Sequence, residues 1–261
     1  MGSLRLCVLA SGSSGNCSWV ASDTTAILID AGLSARQTAT RLSEAGGQID
    51  QVQAICVSHE HGDHTVGLRV LHRRHGIPLY ANAGTVDALS RDLTFAALPW
   101  KLFSTGYAFT IGDLAVEPFS VPHDALDPVG FIISNGTSRV GVVTDMGMVT
   151  SLIRERLRRC QALVIESNHD VQLLQNAPRP WSLKQRISGR QGHLSNQGAA
   201  SLLREIANPS LRHVFLAHLS EDCNRHDLAL ESARTALSEV GYSQVAVCVA
   251  RPDQVSECCF I

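Results

Sequence analysis

Residues 58–64 read Ser-His-Glu-His-Gly-Asp-His, placing three imidazoles and the Asp63 carboxylate, with Glu60 between the first two imidazoles, within six residues, at the end of the apolar run VQAICVS and ahead of a stretch with helical spacing. A fold that accepts this segment needs a strand ending before it and a helix starting within it. Residues i and i+2 leaving a strand point the same way, so His59 and His61 can share one cation, while Asp63 and His64 on the first helical turn can reach a second beside it. Gly62 is expected to let the chain turn tightly between the two pairs. A His-rich loop can also be merely solvated, which is how His72 and His75 read beside Arg73 and Arg74. For residues 59–64 the mixed nitrogen and oxygen donors favour a catalytic ion.

Strands and helices alternate around this segment. Short β runs (LRLCVLAS, SWVAS, TAILIDAG) come first. A helix follows, capped by Ser34, with Leu33, Thr38 and Leu42 on its apolar face and Gly46-Gly47 at its end. The pattern then predicts helix over Asp63–His75, strand at IPLYAN and helix over Thr85–Arg91. The middle is richer in strand: YAFTIGDLAVEPFSV, then VGFIISN and SRVGVVTD about a hairpin turn at Asn135-Gly136. Helix is expected over 151–160, strand at ALVIES, a largely helical 168–208 interrupted by Pro178 and Pro180, then strand (HVFLAHLS), helix (Asp227–Val240) and strand (QVAVCVA). With no repeat or linker, the 261 residues are expected to form one α/β domain, 1–261. Two face-to-face sheets with helices outside fit this order, and so does a doubly wound parallel sheet.

Composition narrows function mainly by exclusion. A formal net charge of -2 gives no global attraction to nucleic acid or anionic membrane, so an anionic substrate must be drawn in locally. The apolar stretch Leu4–Ala10 is too short for a secretory core or a membrane span, and no membrane association is expected. Eight scattered cysteines without a Cys-x-x-Cys pair read as mostly buried thiols in a reducing cytoplasm, with adjacent Cys258 and Cys259 the pair open to exposure and oxidation.

The segment His59, His61, Asp63, His64 matches in full the H-x-H-x-D-H signature of the metallo-β-lactamase superfamily, which the chain resembles. The resemblance implies a four-layer αββα sandwich and further ligands at strand ends. His123 in SVPHD, Asp145 in VVTDMG and His218 in LAHLS occur in the required order, as does Asp30 in LIDAG. By the family pattern His59, His61 and His123 hold one metal ion, Asp63, His64 and His218 hold the second, Asp145 bridges them, and Asp30 orients ligands through hydrogen bonds. Two divalent ions are thus implied; zinc, manganese and iron all suit such donors. The nucleophile would be a metal-bound hydroxide, and the site would carry roughly one net positive charge, which favours an anionic phosphodiester without excluding an amide or thioester.

IESNHD and GHLSN resemble the phosphodiesterase branch, including tRNA 3′-processing nucleases, and bring Glu166 and His193 towards the metals as a proton-donating pair. Asp63 also counts as catalytic, and His169 is a weaker cleft candidate. LASGSSGN, HDALDPVGF, ESNHD, GHLSN and AHLSEDCN together resemble the YycJ/WalJ group, which implies a DNA exonuclease acting on nucleic acid, DNA before RNA. Cys223 stands where that group commonly has the first of two asparagines, leaving Asn224 alone. An RNA-processing or small cyclic phosphodiesterase, a thioesterase or lactamase-type hydrolase, and a non-catalytic metal-binding protein are the alternatives. Gly12-Ser13-Ser14-Gly15-Asn16 can offer N–H groups to a phosphate, or can be a plain turn. The arginines of 154–159, and Lys184, Arg186 and Arg190, can contact a nucleic-acid backbone, or can be solvated faces.

Overall fold

The computed structural model describes residues 2–261. Seven strands build each of two sheets. The first holds β1 (Arg5–Ala10), β2 (Cys17–Ala21), β3 (Ala26–Ile29), β4 (Val52–Cys56), β5 (Leu79–Asn82), β6 (Trp100–Phe103) and β14 (Cys259–Phe260), in the order β14-β1-β2-β3-β4-β5-β6. The second holds β7 (Phe109–Ile111), β8 (Leu114–Ser120), β9 (Val129–Ser134), β10 (Arg139–Val143), β11 (Ala162–Glu166), β12 (His213–Ala217) and β13 (Ala246–Val249), in the order β13-β12-β11-β10-β9-β8-β7. The helices are α1 (Ala35–Glu44), α2 (Gly62–Thr65), α3 (Leu68–His75), α4 (Ala83–Leu89), α5 (Leu93–Ala96), α6 (Ser151–Leu157), α7 (Val171–Asn176), α8 (Trp181–Ser188), α9 (Asn196–Ile206) and α10 (His226–Glu239).

Strand alternation assigns the layers. On β1, Leu6 and Val8 pack with Ala162, Val164, Phe131 and Phe215 between the sheets. Their neighbours Cys7 and Leu9 join Leu42, Leu68 and Leu71 under α1 and α3. Leu163 and Ile165 on β11 face the opposite way, onto Ile153, Leu202 and Ala233 of α6, α9 and α10. Both faces of both sheets are therefore covered, which is why so many strands read as unbroken apolar runs. This is the four-layer αββα sandwich, and the doubly wound alternative is ruled out.

β3 to β6 run parallel, as do β10 to β13, with Ile29 opposite Cys56, Val143 opposite Ile165 and Glu166 opposite Ala217. These registers bring the carboxyl ends of β3, β4, β10, β11 and β12 to one edge of the sandwich, where α/β sheets commonly hold ligands.

Several expectations are refined. The expected helix over 63–75 is two, α2 and α3, separated at Val66-Gly67. YAFTIGDLAVEPFSV folds back on itself as the β7–β8 hairpin. Residues 168–208 form three helices, with 177–180 and 189–195 irregular. The edge strand β6 went unread because Lys101 and Leu102 are exposed and leave no apolar run, and β14 because two residues carry no periodicity. Cys259 is buried, contrary to the exposed pair expected, because β14 tucks it between the sheets; Cys258 is half-buried. Ser34 caps α1 in a reciprocal box with Gln37, as its sequence predicts.

Candidate metal centre and active site

The residues singled out from sequence converge at that shared edge. Three of them take left-handed backbone conformations immediately beyond their strands: Asp30 (φ 63°), Asp145 (φ 55°) and His218 (φ 55°). Each such residue costs about 1–3 kcal/mol and persists only where its surroundings over-determine it. The His218 N–H donates to Ser11 Oγ at 2.8 Å and its carbonyl accepts from Asn168 Nδ2 at 2.7 Å. The Asp30 N–H donates to the Cys56 carbonyl at 2.9 Å. These sharp turns swing the side chains across the strand ends instead of along them.

Four imidazoles are oriented through Nδ1. His64 donates to Asp30 Oδ2 at 2.8 Å, His123 to the Gly192 carbonyl at 3.1 Å, His218 to Glu166 Oε1 at 2.9 Å and His59 to Ser58 Oγ at 2.9 Å. Ser58 Oγ in turn donates to Asp30 Oδ2 at 2.8 Å. Each ring so fixed turns Nε2 inward, the orientation that neighbouring acceptors impose on metal-binding histidines. His61 presents Nδ1 instead, 3.1 Å from His59 Nε2 and 3.3 Å from His123 Nε2.

Two tests show that this cluster fits a cation. Donors arranged tetrahedrally around an ion at 2.0–2.1 Å lie about 3.3–3.4 Å apart, close to the spacings among His59, His61 and His123. In addition, Asp145 Oδ2 and His218 Nε2 are buried and, with the imidazoles neutral, have no hydrogen-bond partner, a costly arrangement that either a proton or a cation relieves. Three donor groups converge: His59, His61 and His123; His59, His64 and Asp145; and Asp145, Glu166, His193 and His218. Asp63 Oδ2 lies 3.5 Å from His64 Nε2 and 3.4 Å from His218 Nε2. Asp145 spans the centre, with Oδ2 at 3.1 Å from His64 Nε2 and Oδ1 at 3.9 Å from His123 Nε2.

Electrostatics agree with that fit. Burial opposes charge on His64 and His218, but Asp145 and neighbouring acids outweigh it, holding His64 above its usual value and His218 up to about 10. Burial and the facing imidazoles hold His59 low, so it is a neutral donor. Asp63 and Asp145 stay ionised because His218 and His64 overcome their desolvation. A cation would replace the protons on His64 and His218, so its binding releases protons.

His193 is the partly open member of the group. Its Nδ1 donates to Glu166 Oε1 at 2.8 Å, and Oε1 also accepts from His218. Glu166 is fully buried at the end of β11, and its Oε2 accepts the N–H groups of Met146 and Leu194, each at 2.9 Å. Burial would raise Glu166, yet the charges and hydrogen bonds of His193 and His218 bring it down to about 2. Burial likewise works against protonated His193, and Glu166 and Asp145 overcome it, lifting the ring above its usual value.

Sequence reasoning singled out the Gly12–Asn16 turn but not what the Asn16 side chain does. Its Nδ2 donates to Asp63 Oδ2 at 3.1 Å and faces His64 Nε2 at 3.1 Å, and its N–H donates to the Asp63 carbonyl at 2.8 Å. The Gly12–Asn16 turn is thereby fastened to α2. Gly32 makes that approach possible, since a Cβ there would stand 1.7 Å from the Asp63 carbonyl oxygen and 2.6 Å from Asn16 N. Gly62 lacks the role expected of it: its φ is not left-handed and a Cβ would meet nothing within 4 Å. Asp124 was also missed; its Oδ1 lies 3.3 Å from His123 Nε2 and Arg186 holds its Oδ2 at 2.6 Å. No spacing rule flags either residue, because each acts through a loop folded back over the site.

Other candidates lie elsewhere. His72 and His75 bond the Ile77 carbonyl and Asp50, away from the cluster. His169 is buried with Nδ1 unpartnered and joins none of the donor groups. Arg154 and Arg156 pair with Glu205 and Glu117. Asn224 donates to the carbonyls of Ser167 and Asn168 at 2.8 and 3.0 Å, so the loop keeps its anchor, while Cys223 packs on Leu174 and Ala177.

A family model described as the beta-lactamase superfamily domain matches residues 25–219. The exodeoxyribonuclease YycJ of Bacillus anthracis is 39% identical over 240 residues, which cover 92% of this chain and 91% of that protein. The exodeoxyribonuclease WalJ of Streptococcus pneumoniae is 35% identical over 226 residues, covering 85% and 84%. Among solved structures, the metallo-beta-lactamase fold protein YhfI from Bacillus subtilis superposes with a TM-score of 0.72 at 16% identity, over 98% of this chain and 99% of that one. Zn(2+)-bound PqqB from Methylobacterium extorquens gives 0.70 at 18% identity, over 97% and 99%. At such identities these two establish the fold alone.

Proposed function

The chain belongs to the beta-lactamase superfamily, and from that premise, with YycJ and WalJ exodeoxyribonucleases matching most of its length, we propose that it is a metal-dependent exodeoxyribonuclease. In this reading the whole chain acts as one domain that binds two divalent cations, zinc or manganese. His59, His61 and His123 hold one, Asp63, His64 and His218 the other, and Asp145 contacts both. Bound there, the cations supply Lewis acidity and acidify water.

The observation that carries the reading is His193, which is 23% exposed and hydrogen-bonded to a fully buried carboxylate beside the donor cluster. Hydrolysis of a phosphodiester breaks the P–O bond to an alkoxide that needs a proton, and His193 is the group that gives it. Glu166 holds that proton on the ring, and with Nδ1 committed to the carboxylate the ring's Nε2–H is the one delivered. Such general-acid assistance contributes about 10²–10⁴-fold. A thioester or lactam reading leaves the His193–Glu166 pair without an equivalent task. Asn16, by bonding Asp63, orients that carboxylate. No helix among the described residues is long and apolar enough to cross a membrane.

The deciding experiment is digestion of end-labelled duplex DNA, single-stranded DNA and RNA with manganese or zinc, with Asp63→Ala as the contamination control. Progressive shortening of DNA that vanishes in the variant is the expected result. Absence of cleavage by a metal-loaded protein, with hydrolysis of a cyclic nucleotide instead, would move the assignment to a small-molecule phosphodiesterase.

A further inference from the structure

A cleft of about 480 Å³ opens over His193. Ser13, Ser14, Arg179 and Arg186 line it, together with the carboxylates Asp124, Glu221 and Asp222. The two arginines are committed differently. Arg186 holds Asp124, whose other oxygen adjoins His123, so its charge serves the metal side of the cleft. Arg179 pairs at 2.5 Å with Asp222, whose side chain is 70% exposed. Exposed pairs of this kind are weak, so Arg179 can exchange its carboxylate for another anion at little cost.

The backbone around Arg179 is restrained from both sides. It lies between Pro178 and Pro180, so the prolines fix their own φ and bias the residues before them to extended backbone. Its N–H donates to the Ala177 carbonyl at 2.8 Å. In the same cleft, the exposed Ser13 and Ser14 sit in a turn that Asn16 fastens to Asp63. That turn exposes two hydroxyls at the cleft. A guanidinium and neutral hydroxyl donors lining one cleft with His193 suit a tetrahedral phosphate monoanion.

We propose that Arg179, with the Ser13-Ser14 turn that lines the same cleft, binds a substrate phosphodiester adjacent to the one at the metal centre, making the protein selective for oligonucleotides over small phosphodiesters. The proposal rests on the nuclease reading, and Asp222 is the built-in competitor that the phosphate displaces.

The test measures kcat and KM of the manganese-loaded wild type, Arg179→Gln and Asp222→Asn on a short oligodeoxynucleotide and on bis(p-nitrophenyl) phosphate, which has no neighbouring phosphate. Fluorescence anisotropy with a phosphorothioate oligonucleotide reads binding separately from turnover. Arg179→Gln is expected to raise KM and Kd for the oligonucleotide about 10–100-fold. It should leave bis(p-nitrophenyl) phosphate within about twofold and flatten the salt dependence of binding by about one contact. Asp222→Asn is expected to tighten oligonucleotide binding. Replacing the neighbouring phosphate by a neutral methylphosphonate should weaken the wild type and leave Arg179→Gln unaffected. Equal losses on both substrates, or unchanged binding in Arg179→Gln, would overturn the proposal. A wild type that cleaves no oligonucleotide defeats the nuclease reading instead, while anisotropy still reports whether Arg179 grips the strand.

Discussion

Glu166→Gln is isosteric, yet the hydrogen-bond arrangement around this buried carboxylate leaves it no good orientation. Both oxygens accept from two donors: Oε1 from Nδ1 of His193 and of His218, Oε2 from the N–H groups of Met146 and Leu194. If the amide oxygen keeps the imidazoles, its NH₂ faces two buried main-chain donors. If it turns over, the NH₂ faces the two Nδ1 atoms, which must then give up their protons to Nε2, where His218 meets Asp63. The first arrangement leaves two buried donors without an acceptor, at about 1–3 kcal/mol each, and the second forces a proton onto His218 Nε2, the atom offered to the cation. Taking about 3 kcal/mol in all, and about 2–4 °C per kcal/mol for a protein of this size, Tm falls by roughly 6–12 °C. His193→Ala is the contrast. It leaves Glu166 with His218 and both N–H groups, so Tm should move by less than about 2 °C while kcat on DNA falls about 10²–10⁴-fold. Differential scanning fluorimetry and nuclease assays on the two variants check the pair. A Glu166→Gln protein with wild-type Tm and kcat would refute the assignment of that carboxylate, and an equal Tm loss in His193→Ala would refute the division between support and chemistry.

Asp145→Ala should lose metal occupancy, read by elemental analysis, together with activity; two ions retained with turnover intact would reject its bridging place. Gly32→Ala should lower kcat at least about 100-fold, because a Cβ 1.7 Å from the Asp63 carbonyl oxygen forces this proposed metal ligand to move by an ångström or more. Gly62→Ala, with open space around it, should be neutral or slightly stabilising by chemical denaturation. Stripping the cations with EDTA should lower Tm by roughly 8–16 °C for each ion held at about a thousandfold over Kd, and restoring them should recover it. An unchanged Tm would mean that the converging imidazoles are stable without a cation.

His59, His61, Asp63 and His64 were legible in the sequence because short-range geometry alone, a strand end followed by a helix start, puts them on common ground. The apolar runs ahead of Asp30, His123, Asp145, Glu166 and His218 were legible too, since sheets buried on both faces leave continuous runs, but it was the resemblance to the metallo-β-lactamase superfamily that marked residues at their ends as site residues. Edge strands β6 and β14 escaped notice for the complementary reason that they bury too little to leave a pattern. Tertiary structure alone decided what the site residues do with one another. Strand register brought Ile29 beside Cys56 and Glu166 beside Ala217, left-handed turns aimed Asp30, Asp145 and His218, and Gly32 let the Asn16 turn close on Asp63. Those contacts join residues dozens to hundreds of positions apart, and spacing along a chain carries no information about which distant loop will fold over it.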